Sequence, residues 1–143
     1  MAHLSDYNIK KQFSAVVKKI RRLSPEDTEE VMELMLEVKD PSFKCEIDQS
    51  FGVLIDKHDY FGNKLHHRLY SVSDLPQKTK NKTTITMLVK RCHFVDDFSG
   101  EIYDGIASNY LCDRKKGDEI TITGPYPLAF TVPEDKSANL ILI

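Results

Sequence analysis

Arg68-Leu69-Tyr70-Ser71 sets a cation, an aromatic face and a hydroxyl close together on a stretch with the character of a strand. Further on, Gly105-Ile106-Ala107-Ser108 places a glycine and small side chains where a helix should begin. A guanidinium offers phosphate oxygens a planar fork of donors. The first turn of a helix offers unpaired amide hydrogens and the positive end of its dipole. A tyrosine ring offers a broad face to another flat ring, and the neighbouring serine offers a hydroxyl to polar edge atoms. Together these groups suit a dinucleotide with a flat redox head, which is the chemistry of a flavin. Neither Gly-x-Gly-x-x-Gly nor the Walker pattern occurs, so the phosphate site is of neither the Rossmann nor the P-loop type. Taken singly, the same residues also fit a cross-strand arginine, a rim tyrosine and a capped helix without ligand.

The elements that must position them are mostly strands. Phe13 to Lys19 has an apolar centre, Phe51 to Ile55 is a short apolar run, and Thr83 to Val89 is rich in threonine and β-branched residues. Arg68 to Val72 follows a loop marked by Gly62-Asn63, and Asp96-Asp97-Phe98-Ser99-Gly100 is turn chemistry that predicts a hairpin. Glu119 to Thr123 alternates, and Gly124-Pro125-Tyr126-Pro127 breaks it. Ser108 to Arg114 reads as a short helix with a serine cap and Gly117 as its stop. The stretch from Ser24 to Val38 is ambiguous. Ser24-Pro25-Glu26-Asp27 is a good helix start and Val31, Leu34, Met35 and Val38 fit a helical stripe, yet Met32, Leu34, Leu36 and Val38 alternate as a strand does. About six short strands with one helix near the C-terminal part predict a mainly β fold, a small antiparallel Greek-key barrel.

Composition narrows the class. The chain has 143 residues, 41% of them hydrophobic, enough for one domain with a core. Lys and Arg number 20 against 22 Asp and Glu, and that near balance argues against a nucleic-acid binder. Basic residues do crowd near the N-terminus, at Lys10, Lys11, Lys18, Lys19, Arg21 and Arg22, where a solvated surface is the simpler account. Cys45, Cys92 and Cys112 form no metal or redox motif, no metal site is expected, and a reducing compartment such as the cytoplasm follows. No stretch approaches the length of a membrane span, and the polar, charged first residues are not expected to act as a secretory leader.

These motifs resemble the FAD-binding domain of the plant-type ferredoxin–NADP reductase family, from about Gln12 to the last residue. Gln49-Ser50-Phe51-Gly52-Val53 is similar to the family's "GQSIGV" turn, with Asp48 in place of its usual glycine. Arg68-Leu69-Tyr70-Ser71 matches "RLYS", and Leu88-Val89-Lys90-Arg91 followed by Phe94 resembles "CVKR" followed by an aromatic. Ser108-Asn109-Tyr110-Leu111-Cys112-Asp113 is close to "SNFLCD", Lys116-Gly117-Asp118-Glu119 to "PGDE", and Gly124-Pro125 with Pro133 to "TGP…P". Each is weak alone, but their common order is a specific signal.

The resemblance implies a role for each position. Arg68 would pair with the pyrophosphate, with Leu69 beside it, and Tyr70 would lie against the isoalloxazine. Ser71, the catalytic candidate, would bring its hydroxyl near the flavin nitrogen that accepts hydride. Gly105, Ile106, Ala107 and Ser108 would supply amides to the phosphates. Leu88 and Lys90 would sit near the adenosine or its phosphate, and Phe94 would stack on adenine. The implied cofactor is FAD, with FMN less favoured, and the implied partner is a ferredoxin-like or flavodoxin-like electron carrier. NADP or NAD would enter only through a second domain. The apolar run Ala138-Asn139-Leu140-Ile141-Leu142-Ile143 is expected to open that domain, leaving 1–11 as a loose polar tail and 12–137 as the barrel. The family also has a strand where Val31 to Val38 falls, so strand is expected there. A non-catalytic flavin-binding or structural barrel module is the alternative function.

Overall fold

A computed structural model describes residues 3–57, 62, 64–127 and 137. Nine strands and one helix occur among the described residues: β1 (Gln12–Arg22), β2 (Val31–Val38), β3 (Ser50–Asp56), β4 (Leu65–Ser71), β5 (Gln77–Lys78), β6 (Thr83–Lys90), β7 (His93–Val95), β8 (Ile102–Asp104), α1 (Ile106–Cys112) and β9 (Glu119–Tyr126). Seven strands form one antiparallel sheet in the order β4-β3-β9-β1-β2-β6-β5, and β7-β8 is a separate hairpin. Beyond the end of β4, the Ser73 amide donates to the Thr86 carbonyl of β6 (2.9 Å), which draws the two sides of the sheet together as a barrel.

Alternation builds the core. Phe13, Ala15 and Val17 of β1, Leu34, Leu36 and Val38 of β2, and Ile85, Met87 and Val89 of β6 point inward at every second position. Ile120 and Ile122 of β9 close the interior from the other side of β1. The expected six or so strands become nine among the described residues because β5, β7 and β8 span only two or three residues each; β7-β8 is the hairpin that the Asp96–Gly100 turn predicts.

The ambiguous stretch from Ser24 to Val38 divides into a hairpin loop and then strand β2 from Val31. Ser24 caps no helix; its Oγ accepts the Val31 amide (2.9 Å), and Leu23 donates to the Val31 carbonyl (2.8 Å). Arg22 gathers the carbonyls of Pro25 (2.8 Å) and Thr28 (2.9 Å), so the helix-start signal is spent on a hairpin loop. From Val31 onward, pairing with both β1 and β6 outweighs the helical stripe.

The N-terminal segment is anchored where a loose tail was expected. Leu4–Asp6 forms a 3-10 turn, Tyr7 packs edge-on against Tyr126 (4.9 Å between ring centres), and Tyr126 Oη donates to the Asn8 carbonyl (2.7 Å). Strand β9 runs through Gly124-Pro125 to Tyr126, further than the expected break. Asp48, standing where the family has glycine, takes a positive φ of 67°, which its short polar side chain tolerates. Pro133 and residues 138–143 lie outside the described residues.

The β3-β4 pair carries a close approach. His67 Nε2 and Thr123 Oγ1 lie 3.1 Å apart above Gly52, and Thr123 is fully buried. Burial, helped by the Arg68 charge, holds the His67 imidazole below its usual range, so the fold prefers it neutral. The unfolded chain takes up that proton near pH 6.5 and the folded chain only at lower pH. The contribution to stability is therefore full above about pH 6.5 and falls as the pH drops below it. Urea midpoints measured across that window should decline with acidification, and His67→Gln should flatten the part of the slope that His67 contributes.

Candidate flavin-binding cleft

One end of β4, the β7-β8 hairpin and the start of α1 enclose a cleft of about 450 Å³. Strand β4 pairs with β3 along its whole length, Arg68 opposite Val53 and Tyr70 opposite Phe51, so the face it presents is set by the core packing of β3. Arg68 and Tyr70, two residues apart, share one face of the strand and both line the cleft, as does Leu69. Arg68 is exposed, its Nη1 donates to the His67 carbonyl (2.8 Å), and it has no carboxylate partner among the described residues. A guanidinium that pairs with no carboxylate among the described residues is suited to an anion brought by a ligand. Tyr70 is half-buried against the core, and burial pushes its phenol up to about 12. It therefore stays protonated at neutral pH.

The opposite wall is built by Gly105, Ile106, Ala107 and Ser108. The helix begins two residues earlier than expected: Gly105 is its N-cap in extended conformation, and Ser108 lies inside the first turn instead of capping it. Ser108 Oγ accepts the Cys92 amide (3.0 Å) and donates to the Gly105 carbonyl (3.2 Å). The Gly105 amide is engaged with the Cys92 carbonyl (2.8 Å), and the first intrahelical bond is Asn109 to Gly105 (3.0 Å). Of the four residues expected to offer amides, Ile106, Ala107 and Ser108 are those whose amides precede that first bond.

Phe94 completes the lining from the hairpin, half-exposed and stacked on Tyr103 (5.2 Å between ring centres, planes 20° apart). The remaining candidates sit elsewhere. Ser71 is exposed at the end of β4, opposite Ser50, and is not part of the cleft lining. Leu88 is exposed on β6, and Lys90 faces a neighbouring groove, where it pairs with Glu29 (2.5 Å). Sequence reasoning left out His66, Cys92 and Asp104, which also line the cleft. The period of two places His66 with Arg68 and Tyr70, and the hairpin register sets Asp104 against His93, so two of the three had a signal. Cys112, the last residue of α1, is a thiol that burial pushes up to about 11. Among the described residues no group of His, Cys, Asp and Glu is arranged to hold a metal ion, and no helix is long and apolar enough to cross a membrane.

No family model matches the chain. Over 96 residues it is 38% identical to the cyanelle ferredoxin–NADP reductase of Cyanophora paradoxa and to the chloroplastic leaf isozyme 1 of Arabidopsis thaliana, covering 66% of this chain and 26% of each relative. It thus spans about a quarter of the length of the curated relatives it matches. Among solved structures, ferredoxin–NADP+ reductase from Plasmodium falciparum superposes with a TM-score of 0.61 at 22% identity, over 90% of this chain and 43% of that one. The same enzyme with 2'P-AMP gives 0.62 at 22% identity, over 90% of this chain and 44% of that one. These superpositions establish the barrel fold.

Proposed function

We propose that the chain, 38% identical over 96 residues to ferredoxin–NADP reductases, belongs to the plant-type family of these enzymes and is the FAD-binding domain of an NAD(P)H-dependent electron-transfer flavoprotein. The observation that carries this reading is the convergence of Arg68, Tyr70 and the first turn of α1 on one cleft with Phe94 at its edge. Bound there, FAD would supply a redox centre able to exchange one electron or two. This chain's own residues would hold it: Arg68 and the amides of Ile106, Ala107 and Ser108 would neutralise the pyrophosphate, Tyr70 would present a ring face to the isoalloxazine, and Phe94 would offer its open face to adenine. Leu69 packs at the same wall, and the stack on Tyr103 stiffens Phe94. In this reading the nicotinamide nucleotide, NADP or NAD, is held by a further domain, and the electron carrier is ferredoxin-like or flavodoxin-like. Three free cysteines, two of them buried, favour a reducing compartment such as the cytoplasm.

Incubating the purified chain with FAD and separating it from free flavin tests the reading. Visible flavin absorbance should travel with the protein. A colourless protein with an intact fold would sink it. Within the same assay, Tyr70→Ala should weaken retention by about 1.5 kcal/mol, the scale of a lost ring contact. Ser71→Ala should change it by no more than about 1 kcal/mol, since one exposed hydroxyl is a small part of the binding. In a protein that also carries a nicotinamide-binding domain, Ser71→Ala should slow flavin reduction by NAD(P)H more than it weakens FAD binding, as expected for a contact made mainly in the transition state. Equal effects on both would remove Ser71 from a catalytic role.

A further inference from the structure

Arg91 lies at the crossing of three elements without reaching the cleft. It follows β6 directly, and its side chain is only 20% exposed. Its Nε donates to Glu30 Oε2 (2.9 Å), just before β2, while Nη1 donates to Asn109 Oδ1 (2.7 Å), in the middle of α1, and Nη2 to Asp113 Oδ1 (2.8 Å), at its C-cap. The Arg91 amide also donates to the Glu30 carbonyl (2.9 Å). The Glu30 carboxyl is held below its usual range chiefly by this guanidinium, so the pair stays charged at neutral pH.

The chain of contacts continues to the cleft wall. Asn109 Nδ2 donates to the carbonyls of Gly105 (2.9 Å) and Cys92 (3.1 Å), both of which are wall residues. Asn109 can do this only with its oxygen turned toward a donor, and Arg91 is that donor. Ser108 Oγ and the Gly105 amide make two further bonds to Cys92. The wall that faces Arg68 is thus a short corner of backbone whose placement depends on one planar guanidinium with three acceptor groups. A lysine in its place is a point charge and cannot span them.

Resting on the FAD-binding reading, we propose that Arg91 is a positioning residue for the phosphate-facing wall of the cleft, acting through Asn109 on Cys92 and Gly105. It orients this wall and leaves the ring-binding face of β4 unaffected. Loss of the link therefore affects the dinucleotide part of the ligand selectively.

The test uses the whole chain with Arg91→Lys and Asn109→Asp, FAD and riboflavin as probes in fluorescence titrations, and thermal unfolding in parallel. Asn109→Asp keeps an acceptor for Arg91 but replaces the donor to the two carbonyls. Both variants should lose about tenfold in FAD affinity, the scale of one charge-assisted hydrogen bond, while riboflavin affinity stays within about twofold. If Arg91→Lys fails to fold, Asn109→Asp decides alone. FAD and riboflavin affinities falling together, in step with the thermal midpoint, would make Arg91 merely structural and overturn the proposal. A wild type that prefers FAD to riboflavin, with variants that keep the preference in full, overturns it as well. A wild type with no such preference defeats the FAD-binding reading itself, and this proposal with it.

Discussion

Replacing Arg68 by alanine is expected to weaken FAD binding by about 1.5–3 kcal/mol, the range for a hydrogen bond to a charged group. The expectation rests on the state of the guanidinium in this fold. It is exposed at the cleft, and among the described residues it donates to its neighbour's carbonyl and has no carboxylate partner. Among the described residues, truncation therefore breaks no ion pair and leaves no buried charge, so the barrel itself should lose little stability. The loss should shrink for riboflavin, which carries no phosphate. Paired titrations of wild type and Arg68→Ala with FAD and riboflavin supply the check. Equal losses for both ligands would mean that the arginine shapes the strand and does not meet phosphate.

Gly52→Ala is expected to destabilise the fold by about 2–3 kcal/mol, at the upper end of overpacking costs. A Cβ on Gly52 would lie 2.0 Å from His67 Nε2 and 2.3 Å from Thr123 Oγ1. Neither group has easy room to yield: Thr123 is fully buried on β9, and His67 stands on the strand that carries Arg68 and Tyr70. Relief requires pushing β4 away from β3, so retention of FAD should fall along with the urea midpoint. An unchanged midpoint would show that the His67 ring swings aside, and that the family's glycine at this position has another reason.

How much of this was legible in the residues depends on how local each signal is. The long strands were legible because Phe13, Ala15 and Val17, or Ile85, Met87 and Val89, repeat at the period a sheet demands. The Ser24 region was not, because a good helix start sits there and only pairing to β1 and β6 overrules it. The start of α1 was misplaced for a related reason. Ser108 has the side chain of a cap, but that hydroxyl is committed to Cys92 and Gly105, while the true N-cap, Gly105, has no side chain to advertise it. Arg68, Tyr70, Phe94 and the Gly105–Ser108 segment line one cleft. Arg91 could not be given a role from sequence, since its partner Glu30 is 61 residues away and its effect on the cleft runs through a third residue.

The central claim is that this barrel holds a flavin as a dinucleotide, with one wall for the pyrophosphate and a hairpin for the adenosine. Competition between FAD and FMN for the same protein, followed by quenching of flavin fluorescence, tests it most directly. FMN can use Tyr70 and part of the phosphate wall, but nothing in it reaches Phe94. The account predicts tighter binding of FAD, with the difference reduced when Phe94 is replaced by alanine. Equal affinity for FAD and FMN would contradict it.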